Sequence, residues 1–103
     1  MTEMLSLWRG WIVRPLPRTA AAIAGAVAEA HGLTLKTLRT GSRRADIARA
    51  RQEAMAALRA QTRPDGRPRY SFPWIARFFA LSHPTVMHGV RAHRRRLASG
   101  GRP

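Results

Sequence analysis

The chain has 103 residues, enough for one small domain, and it contains no cysteine, which excludes a disulfide framework and a thiolate metal site. Its 19 lysine and arginine residues against 5 aspartate and glutamate residues give a formal net charge of +14, beyond the roughly 2 to 8 charges of an ordinary small domain. Nucleic acid is therefore the leading candidate partner, and an anionic membrane surface is the alternative.

Residues 1–17 are predicted to form an apolar and basic extension that precedes the main domain. Trp8 and Trp11 lie close together in this extension, and two large aromatic side chains require burial. They either pack back onto the domain and enlarge its small core, or they form a surface for self-association or for docking a transcription or replication protein.

No segment of the sequence has the pattern of a membrane span or of a secretion signal. The longest apolar run, residues 20–28, is too short to cross a bilayer, and Glu3 and Arg9 interrupt a signal-peptide pattern. A cytoplasmic location at the nucleoid is therefore expected, without a membrane as partner.

The first part of the main domain is predicted to be helical, because it shows no strand-like alternation. Thr19 is suited to cap an alanine-rich first helix that ends at His31 and Gly32. A short second helix follows the capping residue Thr34. The apolar side chains expected to face the core from these two helices are Ile23, Val27, Ala30, Leu35 and Leu38.

The third helix is expected to be the central helix of the domain. Residues 40–42, Thr-Gly-Ser, break the chain before it, and its apolar residues recur at helical spacing: Ile47, Ala54, Met55 and Leu58. A connector at residues 63–68, Arg-Pro-Asp-Gly-Arg-Pro, excludes a continuing helix because it holds two prolines and a glycine.

Residues 71–97 have the pattern of a helix-turn-helix unit. Ser71 caps a first helix with Pro73 in its first turn, a turn follows at residues 80–82, and Ser82 caps a second helix. The side chains expected to be buried are Ile75, Phe78, Phe79, Val86, Val90 and Leu97, and those expected to face solvent are Arg91, Arg94, Arg95 and Arg96. A basic second helix of this kind is typical of DNA recognition.

These motifs together resemble the C-terminal DNA-binding domain of DnaA, the bacterial replication initiator. A basic loop, residues 42–44, precedes a helix that opens with Ala-Arg-x-Arg-Gln at residues 48–52. Ser-x-Pro-x-Ile at residues 71–75 and His-x-Thr-Val-x-His at residues 83–88 follow in the family's order. The resemblance covers residues 19–96, which is most of the chain.

The resemblance implies an all-α fold, a small helical domain with a DnaA-type, Trp-repressor-like helix-turn-helix. The domain is expected to span residues 18–98, after the extension at residues 1–17. Residues 99–103 are then expected to be a flexible basic tail.

The resemblance also implies how the basic residues meet DNA. Arg43 is expected to enter the minor groove, which attracts a guanidinium group because it is narrow and electronegative. Arg44 could replace Arg43 after a small shift of the loop. Arg51 and Gln52 match family positions that meet phosphates, and Arg49 is expected to join them on the same helix.

Ser82, His83 and Thr85, with Pro84 between them, are expected to face base edges in the major groove. His83 can donate to a purine N7 or O6, and the Thr85 methyl group can contact a thymine methyl. The usual family motif has Asp at the position of Ser82 and Thr at that of Pro84, so the preferred site is expected to differ from the DnaA box. The predicted DNA-binding set is completed by Ser71, His88 and Arg91.

Neither metal binding nor catalysis is supported by the sequence. His88 and His93 do not share a helix face, and the surrounding arginines repel a cation. The 5 acidic residues are scattered, and no phosphate-binding loop of the Gly-x-x-x-x-Gly-Lys type is present. We expect a protein that is not an enzyme and that uses no cofactor or metal.

The leading functional prediction is sequence-specific binding of double-stranded DNA by a transcription regulator. The sequence lacks the DnaA motor domain, and stand-alone modules of this type resemble regulators of phage and gene-transfer-agent genes. Recruitment of other proteins would make it an activator, although the sequence leaves the direction of control open. The alternatives are competition with DnaA at replication origins and non-specific architectural binding of nucleic acid. Binding as a monomer to an asymmetric site is expected.

Overall fold

The structure is a computed structural model and describes residues 19–100. Within this range the fold is all-α, as predicted, and its one β-type pairing is an isolated bridge between Thr62 and Pro68. The helices are α1 (Ala20–Ala30), α2 (Leu35–Leu38), α3 (Ala45–Arg59), α4 (Phe72–Phe79) and α5 (His83–Ala98). The predicted extension with Trp8 and Trp11, and most of the predicted tail, lie outside the described residues.

Four of these helices begin at the capping side chains that the sequence predicted: Thr19, Thr34, Ser71 and Ser82. In each cap the side-chain hydroxyl accepts a hydrogen bond from the backbone N–H three residues later. Each cap therefore satisfies an amide that the first helical turn leaves unpaired, and it fixes the start of the helix locally.

Helix α3 is the central helix, as predicted, and it packs against α1, α2, α4 and α5. The four apolar residues predicted for its buried face are all buried. At the crossing with α5, a Cβ atom added to the buried Gly89 would lie 3.0 Å from Met55 Sδ and 3.2 Å from Gln52 Cγ. Since this glycine has no side chain, α5 can pack closely on α3.

Three predicted orientations are wrong. Ala30 is exposed, because α1 faces the core with Ala24 and Ala28 instead. Leu97 is 63% exposed, because the buried residues of α5 end at Val90 and the helix continues beyond the core. Arg96 is half-buried rather than exposed. Three further predicted core residues are only half-buried: Val27, Leu35 and Phe78.

The connector predicted at residues 63–68 forms a turn. The Arg63 N–H donates to the Arg67 carbonyl at 2.8 Å, and the Gly66 N–H donates to the Arg63 carbonyl at 2.8 Å. Gly66 has a φ of +85°, a conformation that glycine adopts without steric penalty.

Candidate nucleic-acid interface

Helices α4 and α5 form the predicted helix-turn-helix, joined by residues 80–82. Ala80 ends α4 in the left-handed conformation, with φ 54° and ψ 44°. The Leu81 N–H then donates to the Ala76 carbonyl at 2.8 Å, which closes the helix end and redirects the chain. Phe79 of α4 and Val86 of α5 are buried in the same core. This shared burial fixes the orientation of α5 relative to α4.

The first turn of α5 presents the four predicted major-groove residues at the surface: Ser82, His83, Pro84 and Thr85. Ser82 Oγ accepts a hydrogen bond from the Thr85 N–H at 3.3 Å, and it lies 2.6 Å from Thr85 Oγ1. The two hydroxyl groups are thus held by the cap itself. The helix start also carries the partial positive charge of its unpaired amides, which favours an anionic partner.

His83 is restrained by an aromatic contact with another helix. Its ring stacks on Phe72 of α4, with centroids 5.8 Å apart and an interplanar angle of 28°. The Arg59 guanidinium lies 4.1 Å from the centroid of the same Phe72 ring and donates to the Tyr70 carbonyl at 3.1 Å. The sequence did not indicate this arrangement, because its members come from separate helices that no spacing rule relates.

Arg43 and Arg44 of the basic loop are both exposed, but their partners differ. Arg44 Nη2 donates to Asp46 Oδ2 at 3.1 Å, whereas Arg43 has no ion pair within residues 19–100. Arg43 is therefore the freer cation, a distinction that the sequence did not allow.

The segment just before the basic loop is tied to the helix-turn-helix. Arg39 Nε donates to the Phe78 carbonyl at 2.9 Å, and its guanidinium lies 4.9 Å from the Phe78 ring centroid. Phe78 is close to the turn that leads into α5. This contact links the segment before the basic loop to the end of α4, just ahead of the turn that leads into α5.

Arg51 lies in the interior, which argues against the predicted phosphate contact. Arg51 is only 8% exposed. Its Nε donates to the Leu38 carbonyl at 2.8 Å, and its Nη2 donates to the carbonyls of Thr40 and Ser42 at 2.9 Å each. Burial lowers the pKa of this guanidinium, which still stays charged at neutral pH because arginine loses its proton only in strong base. Arg51 thus holds the chain that enters the basic loop.

The sequence contained a signal for this burial. Arg51 falls four residues after Ile47 and four before Met55, so it occupies the buried face that the apolar residues of α3 define. The residue type obscured the signal, because a buried arginine is rare unless its donors are paired.

The other two predicted phosphate contacts differ from each other in exposure. Arg49 is exposed on α3. Gln52 is half-buried at the crossing with α5, and its Oε1 is buried without a hydrogen-bond partner among the described residues. Arg49 is therefore better placed to meet a phosphate.

The remaining predicted DNA-binding residues lie at the surface of the helix-turn-helix. Ser71 is exposed, and its hydroxyl accepts the Trp74 N–H as the cap of α4. His88 and Arg91 are exposed on α5 and are one helical turn apart. They extend the exposed face that begins at Thr85.

Comparison with known protein families identifies the family of this domain. The family profile described as the bacterial dnaA protein helix-turn-helix matches residues 20–92. The chain belongs to the bacterial DnaA helix-turn-helix family. DNA is therefore a partner of this domain, and domains of this family are typically non-enzymatic. No curated protein and no solved structure matches the chain. The matched DnaA-type region contains every predicted DNA-binding residue.

The two positions at which the resemblance implies a departure from the usual DnaA motif leave the helix undisturbed. Ser82 stands where the motif has Asp, and it supplies the cap that Asp would supply. It lacks the carboxylate that could accept a hydrogen bond from a cytosine amino group. Pro84 fits the first turn of α5, where no backbone N–H is needed, but it brings no hydroxyl group.

Within residues 19–100, no three His, Asp or Glu side chains lie close enough together to hold a metal ion. None of the helices in that range is long and apolar enough to cross a membrane.

Proposed function

We propose that the chain binds double-stranded DNA sequence-specifically, with the first turn of α5 in the major groove and Arg43 in the minor groove. The observation that carries this proposal is the fixed polar edge at the start of α5. The Ser82 and Thr85 hydroxyls are held 2.6 Å apart, and His83 is stacked on Phe72. Base pairs are told apart by directional hydrogen bonds, which require donors and acceptors in fixed positions.

Electrostatic attraction supplies the affinity in this proposal, and base contacts supply the preference. The net charge of +14 attracts any polyanion. The exposed Arg49 and Arg91 are suited to phosphates, which position a protein on the duplex without reading its sequence. Replacing Arg49 should therefore weaken all duplexes alike, whereas replacing Arg43 or His83 should remove about 1 to 3 kcal/mol of discrimination between bases.

We further propose that the chain regulates transcription by occupying such a site. Bound at a promoter of phage or gene-transfer-agent genes, it would recruit other proteins and activate expression. Bound at a replication origin, it would instead compete with the initiator for DnaA boxes. Either role places it in the cytoplasm at the nucleoid, with one domain bound to each asymmetric site.

Selection of duplexes from a randomised library at about 0.15 M salt tests the DNA-binding proposal. We expect one enriched motif. The double variant Ser82→Asp/Pro84→Thr serves as a matched comparison, because it restores the usual DnaA residues in the first turn of α5. Its enriched motif should be closer to the DnaA box. The wild-type motif, placed upstream of a reporter gene, then tests whether occupancy changes expression.

Other outcomes would contradict parts of the proposal. Retention of duplexes without any enrichment would favour non-specific architectural binding. No retention at all would contradict DNA binding as the main function. A wild-type motif equal to the DnaA box would favour competition at origins over a separate regulatory site.

A further inference from the structure

The turn between α3 and α4 is a fixed structure that carries three arginines. We call residues 63–69 the basic turn. A backbone hydrogen bond of 2.8 Å joins Arg63 to Arg67, and the bridge between Thr62 and Pro68 lies beside it. At its base, the Arg69 N–H donates to the Gln61 carbonyl at 2.8 Å. The arginines of the basic turn are therefore attached to a backbone whose conformation is fixed by hydrogen bonds.

The positive charge of the basic turn is not neutralised within residues 19–100. Arg63, Arg67 and Arg69 are exposed, and none forms an ion pair in that range. The nearby carboxylate, Asp65, accepts the Arg67 backbone N–H at 2.9 Å and so stabilises the turn. The Arg69 guanidinium lies 5.5 Å from the Tyr70 ring centroid, which restrains it without neutralising it. With Asp65 included, three arginines and one aspartate leave the turn a net charge of +2, so its cations still repel one another unless a further anion binds there.

The basic turn is linked to the start of α5 through Phe72. Arg69 is separated from Phe72 by only three residue steps, which span at most about 10 Å. The Phe72 ring in turn contacts His83, the first residue of α5, with centroids 5.8 Å apart. The phosphates of one DNA strand follow one another at about 3.4 Å along the axis, so backbone phosphates continue on both sides of a groove that His83 occupies.

We propose that the basic turn is a third DNA-binding element, which holds phosphates that flank the major-groove site. The inference rests on the proposed DNA binding and extends it, because this turn belongs to neither the basic loop nor the helix-turn-helix. Arginine suits the role, since its planar guanidinium can donate two parallel hydrogen bonds to one phosphate. Phosphate contacts add affinity and fix the register, but they do not change which sequence is preferred.

The test compares two variants that remove the same charge from different places. Arg63→Gln/Arg67→Gln/Arg69→Gln removes the three positive charges of the basic turn and leaves its backbone hydrogen bonds available. Arg94→Gln/Arg95→Gln/Arg96→Gln neutralises the last turns of α5, where Arg94 lies about 16 Å along the helix from His83. Affinity for one duplex is measured at several salt concentrations, hydroxyl-radical footprints are recorded, and circular dichroism confirms that both variants are folded.

We expect the basic-turn variant to bind the duplex more weakly than the wild type does. We also expect its DNA affinity to depend less on the salt concentration. Each lost phosphate contact should reduce the slope of log affinity against log salt by roughly 0.9. The ratio of wild-type to variant affinity should therefore fall roughly 3.5-fold per lost contact when the salt concentration rises from about 50 to 200 mM. Protection should disappear on a flank of the footprint while its centre and the preferred motif stay unchanged. The α5 variant should keep the wild-type footprint.

Two results would overturn the inference. One is a basic-turn variant with wild-type affinity, salt slope and footprint. The other is an equal loss in both variants, which would mean that total charge and not position matters. Failure of the proposed function would look different, because the wild type itself would then prefer no duplex, and the salt slopes of the two variants could still be compared on any sequence.

Discussion

At the scale of single residues, the orientation of His83 depends on Phe72. An exposed imidazole ordinarily samples several rotamers, and the stack reduces this freedom. Phe72→Leu keeps an apolar side chain but removes the aromatic contact. Since an aromatic pair contributes roughly 0.5 to 1.5 kcal/mol, we expect a loss of discrimination of about 2- to 12-fold at the base pair that His83 contacts. Competition between duplexes that differ only at that base pair measures it.

A double-mutant cycle distinguishes a role of Phe72 in positioning His83 from a general effect of Phe72 on folding. In a His83→Ala background the ring that Phe72 positions is gone, so Phe72→Leu should cause no further loss of discrimination. An equal loss in both backgrounds would show that Phe72 does not act through His83.

Arg51 is expected to matter for folding, because it pairs with three backbone carbonyls in the interior. Arg51→Gln cannot reach all of them, and we expect the free energy of unfolding in urea to fall by about 1.5 to 3 kcal/mol. Arg49→Gln, on the same helix but exposed, should change it by less than about 0.5 kcal/mol. If the two variants were equally stable and Arg51→Gln bound all duplexes more weakly, Arg51 would instead contact a DNA phosphate, as the resemblance implied.

At the scale of the elements, the helix-turn-helix contains one strained residue. Ala80 has a φ of 54° at the end of α4, and the left-handed conformation costs a non-glycine residue about 1 to 2 kcal/mol. Ala80→Gly removes this strain but adds freedom to the unfolded chain, so we expect a net gain of roughly 0.5 to 1 kcal/mol. Thermal unfolding should show a rise of a few degrees in Tm.

The matched control for this prediction is Ala60→Gly. Ala60 also ends a helix, but its φ of −75° and ψ of −14° are ordinary for alanine. Glycine there only adds freedom to the unfolded chain, so Tm should not rise. A Tm increase in Ala60→Gly as large as in Ala80→Gly would argue against strain at the turn.

Element starts could be predicted from the sequence because they depend on neighbours in the chain. Thr19, Ser71 and Ser82 each cap a helix with a hydrogen bond to the third residue after them. The exposure of Leu97 could not be predicted in this way. Helical spacing assigns a face to a residue, but only the position of α3 determines how far along α5 that face is covered.

At the scale of the whole molecule, the candidate site is predictable only in part. The exposed start of α5 follows from local rules and from the family's motif. The contact from Arg39 to the Phe78 carbonyl joins residues 39 positions apart, and no periodicity relates them. The basic turn was predictable as a turn from its prolines and glycine, but its link to His83 through Phe72 depends on how α4 and α5 pack.

The charge of the whole molecule should make salt act in opposite directions on folding and on DNA binding. The net charge is +14, and the described residues contain only two ion pairs, His31 with Glu53 and Arg44 with Asp46. Added salt screens the repulsion between the remaining cations, because the Debye length falls from about 10 Å at 0.1 M to about 3 Å at 1 M. We expect the free protein to gain on the order of 1 kcal/mol, or roughly 4 to 8 °C in Tm, while its DNA affinity falls. Thermal unfolding of the variant with glutamine at the three arginines of the basic turn should show a smaller gain, and a wild-type Tm that is constant or falls with salt would refute the prediction.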